Sequence, residues 1–270
     1  MELGLLVVLK PSIREEIRKV SELGFATCQL SCWDESLFTD EMIAEIQQAC
    51  AEYKVKISHI WCGWLGPQSW NLIDGPSTLG LVPEAYRDSR LQMLLKGADF
   101  TAKLGVQDMI THVGFIPEDP GDQRYRSLLT CLHYLAIYCK GKGIHFLFET
   151  GQETPVTLLR VIEDLNTGNL GINLDPANLI LYGKGNPVDA LDVFGSYVRG
   201  VHAKDGMYPT NGRMLGLEVP IGQGKVDFPS LVGRLKELGY EGPLTIEREI
   251  EGDEQIRDIL SAKQRLEQLL

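Results

Sequence analysis

The chain has 270 residues, 44% of them hydrophobic and 23% charged, which is enough for one large core or two ordinary ones. With 37 acidic against 26 basic residues it carries a formal charge of −11. That balance disfavours nucleic acid and anionic membrane surfaces as partners and leaves a small molecule as the expected one.

The first apolar run, Leu3–Leu9, is far shorter than the ~20 residues of a membrane span. No basic leader or cleavage site accompanies it. The six cysteines lie on scattered segments with no CxxC pair, the pattern of reduced core thiols, so a cytoplasmic location is expected.

In chain order, short apolar runs alternate with longer helical ones. Leu3–Leu9 reads as a strand and Ile13–Leu23 as a helix, with Ile13, Ile17, Val20 and Leu23 on one face. Ala26–Leu30 and Glu41–Tyr53 repeat the unit, followed by Lys56–Trp61 and Ala85–Leu104, then Asp108–His112 and Arg126–Lys142. His145–Glu149 and Thr157–Leu165, Gly171–Asp175 and Pro187–Phe194, Val198–Ala203 and Phe228–Leu238, and Leu244–Glu247 and Asp253–Leu269 complete the series.

Strands that are apolar without alternation suit a parallel sheet covered on both faces. Four helices end in the same way before a strand, at Leu23-Gly24-Phe25, Leu104-Gly105-Val106, Lys142-Gly143-Ile144 and Leu238-Gly239-Tyr240. Glycine there accepts the left-handed conformation that terminates a helix. Eight units without a Pro-, Gly- or Ser-rich linker predict a single-domain α/β fold over residues 1–270, a (β/α)₈ TIM barrel. A doubly wound open sheet is the competitor, but no GxGxxG follows the first strand. Two long connections, Cys62–Pro83 with Trp64 and Trp70, and Lys204–Lys225 with Arg213, are expected over the C-terminal mouth.

In such a barrel the chemistry stands at the strand C-termini. Four consecutive strands end there in Glu149, Asp175, His202 and Glu247. Ionised groups that follow apolar runs directly are costly to desolvate, and one divalent cation resolves that cost. Three carboxylates and one imidazole suit Mn²⁺, Mg²⁺, Co²⁺, Fe²⁺ or Zn²⁺, with nothing to choose among them, and leave the loaded site near −1.

The segments Phe148-Glu149-Thr150, Asn173-Leu174-Asp175-Pro176, Val201-His202-Ala203-Lys204-Asp205, Pro220 to Phe228 and Ile246-Glu247 together resemble the xylose isomerase-like sugar isomerase/epimerase superfamily. That superfamily includes D-tagatose 3-epimerase, L-xylulose-5-phosphate 3-epimerase and, more distantly, endonuclease IV. The resemblance implies that Glu149, Asp175, His202 and Glu247 bind the metal and that Glu149 and Glu247 are also an acid/base pair. The implied activity is isomerisation or epimerisation of a sugar or sugar phosphate through an enediolate, one glutamate removing the proton beside the carbonyl. An inosose dehydratase or a hydroxypyruvate isomerase would use nearly the same groups, and a sugar-binding barrel without catalysis is the alternative of a different class.

Asn178 stands where both the nuclease and D-tagatose 3-epimerase carry histidine, and Gly216-Leu217-Glu218 replaces the nuclease's Asp-x-His. Two ligands of a three-metal nuclease cluster are therefore missing. His59 and His112 are expected to end the third and fourth strands and point at the mouth, either to touch substrate or to close core hydrogen bonds. Trp61 and Trp64 are candidates to stack on a sugar face, barrel packing being the alternative for Trp61. Asn178 joins them in the substrate wall. Lys204 and Arg213 are candidates for a carboxylate or phosphate, with a surface salt bridge as the alternative. Members of the superfamily are often homo-oligomers, and no stretch of this chain reads as an interface.

Overall fold

The computed structural model describes all 270 residues. Eight parallel strands close into a barrel: β1 (Glu2–Val8), β2 (Thr27–Cys32), β3 (Lys56–Cys62), β4 (Asp108–Thr111), β5 (His145–Glu149), β6 (Leu170–Leu174), β7 (Val198–Ala203) and β8 (Pro243–Ile246). Each pairs with its neighbours in sequence, and β1 closes the ring on β8 through Glu2–Leu5 against Pro243–Ile246. The helices outside are α1 (Ile13–Glu22), α2 (Asp40–Tyr53), α3 (Glu84–Leu104), α4 (Gln123–Gly141), α5 (Pro155–Leu165), α6 (Pro187–Phe194), α7 (Phe228–Glu237) and α8 (Asp253–Glu267). The fold is thus a single (β/α)₈ barrel, and no helix is long and apolar enough to cross a membrane.

The local chemistry expected of each joint is present. Gly24, Gly105, Gly143 and Gly239 all take positive φ, between 72° and 76°, so the four turns use the backbone freedom that only glycine has at no steric cost. Helix starts are held by side chains that accept backbone N–H groups, among them Thr39, Thr154 and Asp227. On α1 the residues at helical spacing, Ile13, Ile17 and Val20, are fully buried.

Outward-facing strand residues and the inner helix stripes merge into one cluster of 63 buried residues. Inside the ring the packing is mixed. Trp61, Ile110 and Leu147 pack together, while Gln29, Asn173, His202 and Thr245 are buried polar groups.

Both long connections are fastened by single buried side chains. The Arg90 guanidinium on α3 donates to the carbonyls of Leu65, Pro67 and Gly80 at 3.0, 2.8 and 2.6 Å, pinning the loop after β3 to the helix that follows it. After β7, the Asp205 carboxylate accepts backbone N–H groups from Gly206, Gly222, Gly224 and Val226 at 2.8–3.0 Å. A two-residue ribbon, Asp205–Gly206 against Glu218–Val219, completes that excursion.

Candidate metal centre

Glu149 is the last residue of β5, Asp175 and Glu247 directly follow β6 and β8, and His202 lies one residue inside the end of β7. Asp175 is oriented by the short helix Pro176–Leu181 that it caps. Its Oδ1 accepts the Asn178 N–H at 2.9 Å, which turns Oδ2 inward. His202 Nδ1 lies 3.0 Å from Glu247 Oε2, 3.1 Å from Glu149 Oε1 and 3.7 Å from Asp175 Oδ2. One ligand atom from each of the four residues falls within 4.8 Å of the others.

Three carboxylates this close repel one another strongly, and all four side chains are at most 12% exposed. Asp175 Oδ2, His202 Nδ1 and Glu247 Oε2 are buried without a hydrogen-bond partner. Buried polar atoms are ordinarily satisfied. Here the unsatisfied ones converge, and three oxygens with one nitrogen are the donor set a divalent cation takes.

The remaining electrostatics fit this concentration of negative charge. Burial acts to lower the pKa of His202, but Glu247 and Glu149 hold it well above the usual imidazole range. Burial would raise Glu247, yet Lys204 and His202 hold it well below the ordinary carboxylate value. Glu149 is likewise held down, against burial, by His112 and His202.

Lys204 is not a surface side chain. It is 2% exposed, with Nζ 2.8 Å from Glu249, 3.4 Å from Glu247 and 3.6 Å from Asp175. The sequence cannot reveal this placement, because its carboxylate partners come from two other strands. Lys204 is therefore engaged with protein carboxylates and corrects the expectation of a cation free to bind substrate.

A cavity of about 970 Å³ opens over the quartet and is lined there by Trp33, Trp61, Trp70, His112, Asn178 and Tyr182, together with Glu149 and Glu247. The Trp61 indole N–H donates to Glu149 Oε2. His112 Nε2 is 3.6 Å and Asn178 Nδ2 3.5 Å from Glu149 Oε1. The structure thus brings His112, Trp61 and Asn178 to the quartet as expected.

It does not bring His59, Trp64 or Arg213. β3 runs on to Cys62, so His59 sits lower inside the barrel, where its Nε2 meets the Arg199 carbonyl at 3.2 Å. Trp64, 3% exposed, lies behind the wall against Trp33, Trp61 and Trp70 with ring centroids 5.8–6.1 Å apart, and does not line the cavity. Arg213 is exposed, away from the cavity lining, and pairs with no carboxylate.

Trp70 reaches the cavity from the long connection expected over the mouth, and Trp33 and Tyr182 are cavity residues not singled out from the sequence. Trp33 lies one residue past the end of β2, at the position where the strand-end rule that found Glu247 would have found it.

The sequence pattern of the family described as "Xylose isomerase-like TIM barrel" matches residues 17–268. A xylose isomerase domain protein from Planctomyces limnophilus is 34% identical, with 99% of this chain and 96% of that chain covered and a TM-score of 0.93. An uncharacterised protein from Methanocaldococcus jannaschii is 26% identical over 98% of this chain and 87% of its own length. A D-psicose 3-epimerase crystallised in the presence of D-fructose shares the fold at 15% identity, with a TM-score of 0.74 over 100% of this chain and 99% of that one. The chain belongs to the xylose isomerase-like TIM barrel family.

Proposed function

We propose that the protein is a divalent-metal-dependent isomerase or epimerase of a sugar, with Glu149 and Glu247 as the proton-transfer groups. The observation that carries this reading is the convergence of Glu149, Asp175, His202 and Glu247, three of whose buried ligand atoms have no other partner. These four residues would hold the cation, which supplies acidity to the carbon beside a carbonyl.

The rest of the chemistry belongs to the chain. One glutamate takes the carbon-bound proton, leaving an enediolate. Return of a proton by the other glutamate inverts the centre; return to the neighbouring carbon, with the hydroxyl proton there passing to the former carbonyl oxygen, moves the carbonyl. His112 and Asn178, beside Glu149, are placed to hold hydroxyls. Trp33 and Trp70 offer ring faces to a sugar's C–H side. Trp61 fixes the carboxylate plane of Glu149 through its N–H.

The cations beside the quartet favour an unphosphorylated substrate over a sugar phosphate. Arg248, on the cavity wall, is committed to Glu218 and Asp258 at 3.0 and 2.8 Å, and Lys204 to Glu249. The D-psicose 3-epimerase with the same fold is itself named for a free sugar.

The test is proton exchange in D₂O with Mn²⁺-loaded protein and a panel of free ketoses and keto-inositols. One deuteron entering beside the carbonyl of at least one of them is the expected result. Tight Mn²⁺ binding without exchange on any member would overturn the catalytic reading in favour of a sugar-binding barrel.

A further inference from the structure

Gln29 lies in the middle of β2, in the half of the barrel that contributes no member of the quartet, and is fully buried. Its amide nitrogen Nε2 meets His202 Nε2 at 2.7 Å, a nitrogen facing a nitrogen, while its carbonyl oxygen Oε1 has no partner. His202 is equally buried and turns Nδ1 toward Glu149, Asp175 and Glu247. The two nitrogens of the ring therefore face two different worlds, and the only polar group at Nε2 within hydrogen-bond reach is Gln29.

Which nitrogen carries the proton is set by the partner of the other. A neutral imidazole that gives its Nδ1 lone pair to a cation must keep its proton on Nε2 and needs an acceptor there. A primary amide can meet either state, since a half-turn about its terminal bond exchanges NH₂ for C=O in nearly the same shape. A leucine in this place could do neither. A carboxylate could accept but would bury a further negative charge beside three others.

We infer that Gln29 is a positioning residue for the metal centre: with its amide turned by a half-turn from the arrangement seen here, the unpartnered carbonyl accepts Nε2–H of His202 and so holds the tautomer that presents Nδ1 to the cation. This rests on the reading of the quartet as a metal site, and the test separates the two. Mn²⁺ affinity is measured by EPR titration for the wild type, Gln29→Leu and Gln29→Glu. Long-range ¹H–¹⁵N spectra of the Zn²⁺-loaded forms report the His202 tautomer.

Gln29→Leu is expected to weaken Mn²⁺ binding about 10- to 100-fold. Gln29→Glu, which keeps an acceptor, should restore binding to the wild-type value or better, with the Nε2–H tautomer seen in both it and the wild type. Equal affinity in wild type and Gln29→Leu would overturn the assignment, as would weaker binding by Gln29→Glu than by Gln29→Leu, which is the mark of a packing role. A wild type that binds no Mn²⁺ would overturn the metal reading itself and this inference with it.

Discussion

The two halves of the barrel are built differently. Strands β5 to β8 end in Glu149, Asp175, His202 and Glu247, and Lys204 is drawn in among them. Strands β1 to β4 bring Val8, Ser31, Trp33, Trp61 and His112 to the same mouth and no carboxylate. At the quartet, one half concentrates charge and the other supplies aromatic surface. The contrast shows how such charge is tolerated: an apolar wall raises the energy of an unpaired ion, and the buried carboxylates of the quartet are drawn toward His202 and Lys204. It also divides the labour, with proton transfer in the charged half and substrate shape in the aromatic half.

The largest effect that would break this division is in the charged half. Glu149→Gln or Glu247→Gln should lower the proton-exchange rate roughly 10²- to 10⁴-fold, measured by deuterium incorporation at saturating Mn²⁺. A loss confined to KM in either variant would place proton transfer elsewhere.

Next comes Glu153, a carboxyl on the same side whose burial outweighs the attraction of Lys184. It is 3% exposed, Oε1 has no partner, and burial pushes its pKa up to about 8 from an ordinary 4.5. The unfolded chain releases this proton near 4.5 and the folded protein only near 8, so the folded state holds more protons between them and stability falls as pH rises through that window. Glu153→Gln removes this loss. Its gain over the wild type should be near nil below pH 4.5 and reach on the order of a few kcal/mol above pH 8, read from urea unfolding at both extremes. A constant difference across pH would refute the assignment.

The aromatic half should show smaller effects, on binding. Trp70→Ala, which removes a 40%-exposed ring at the cavity edge, should raise KM about tenfold with little change in kcat, in line with ~0.5–1.5 kcal/mol for an aromatic contact beyond its area. Arg213→Ala sharpens the contrast from the other side. Outside the cavity and unpaired, it should leave KM for a free sugar unchanged within about twofold.

The fold was legible because parallel strands buried on both faces are apolar runs and because four helix ends carry the same glycine. The quartet was legible because each member sits at or beside the end of its strand. Errors came where one more residue of strand, or a partner from elsewhere in the chain, decided the outcome. His59 and Trp61 share the inward face of β3, but with the strand ending at Cys62 only Trp61 reaches the mouth. The short helix Pro176–Leu181 is too brief for periodicity, although its cap, Asp175, and first-turn proline are plain in the sequence. Lys204 and Gln29 take their meaning from residues on other strands, about 30 to 170 positions away in the chain, and no local pattern encodes that.

The grip of Arg90 on Leu65, Pro67 and Gly80 bears on how a substrate arrives. The segment carrying Trp70 is tied to α3 through one guanidinium, so the aromatic wall stands before any ligand is present. Association then meets a finished surface and forfeits little conformational entropy to assemble it. Release of that grip, as in Arg90→Met, would convert a standing wall into a gate, with the on-rate coming to depend on how often the segment closes.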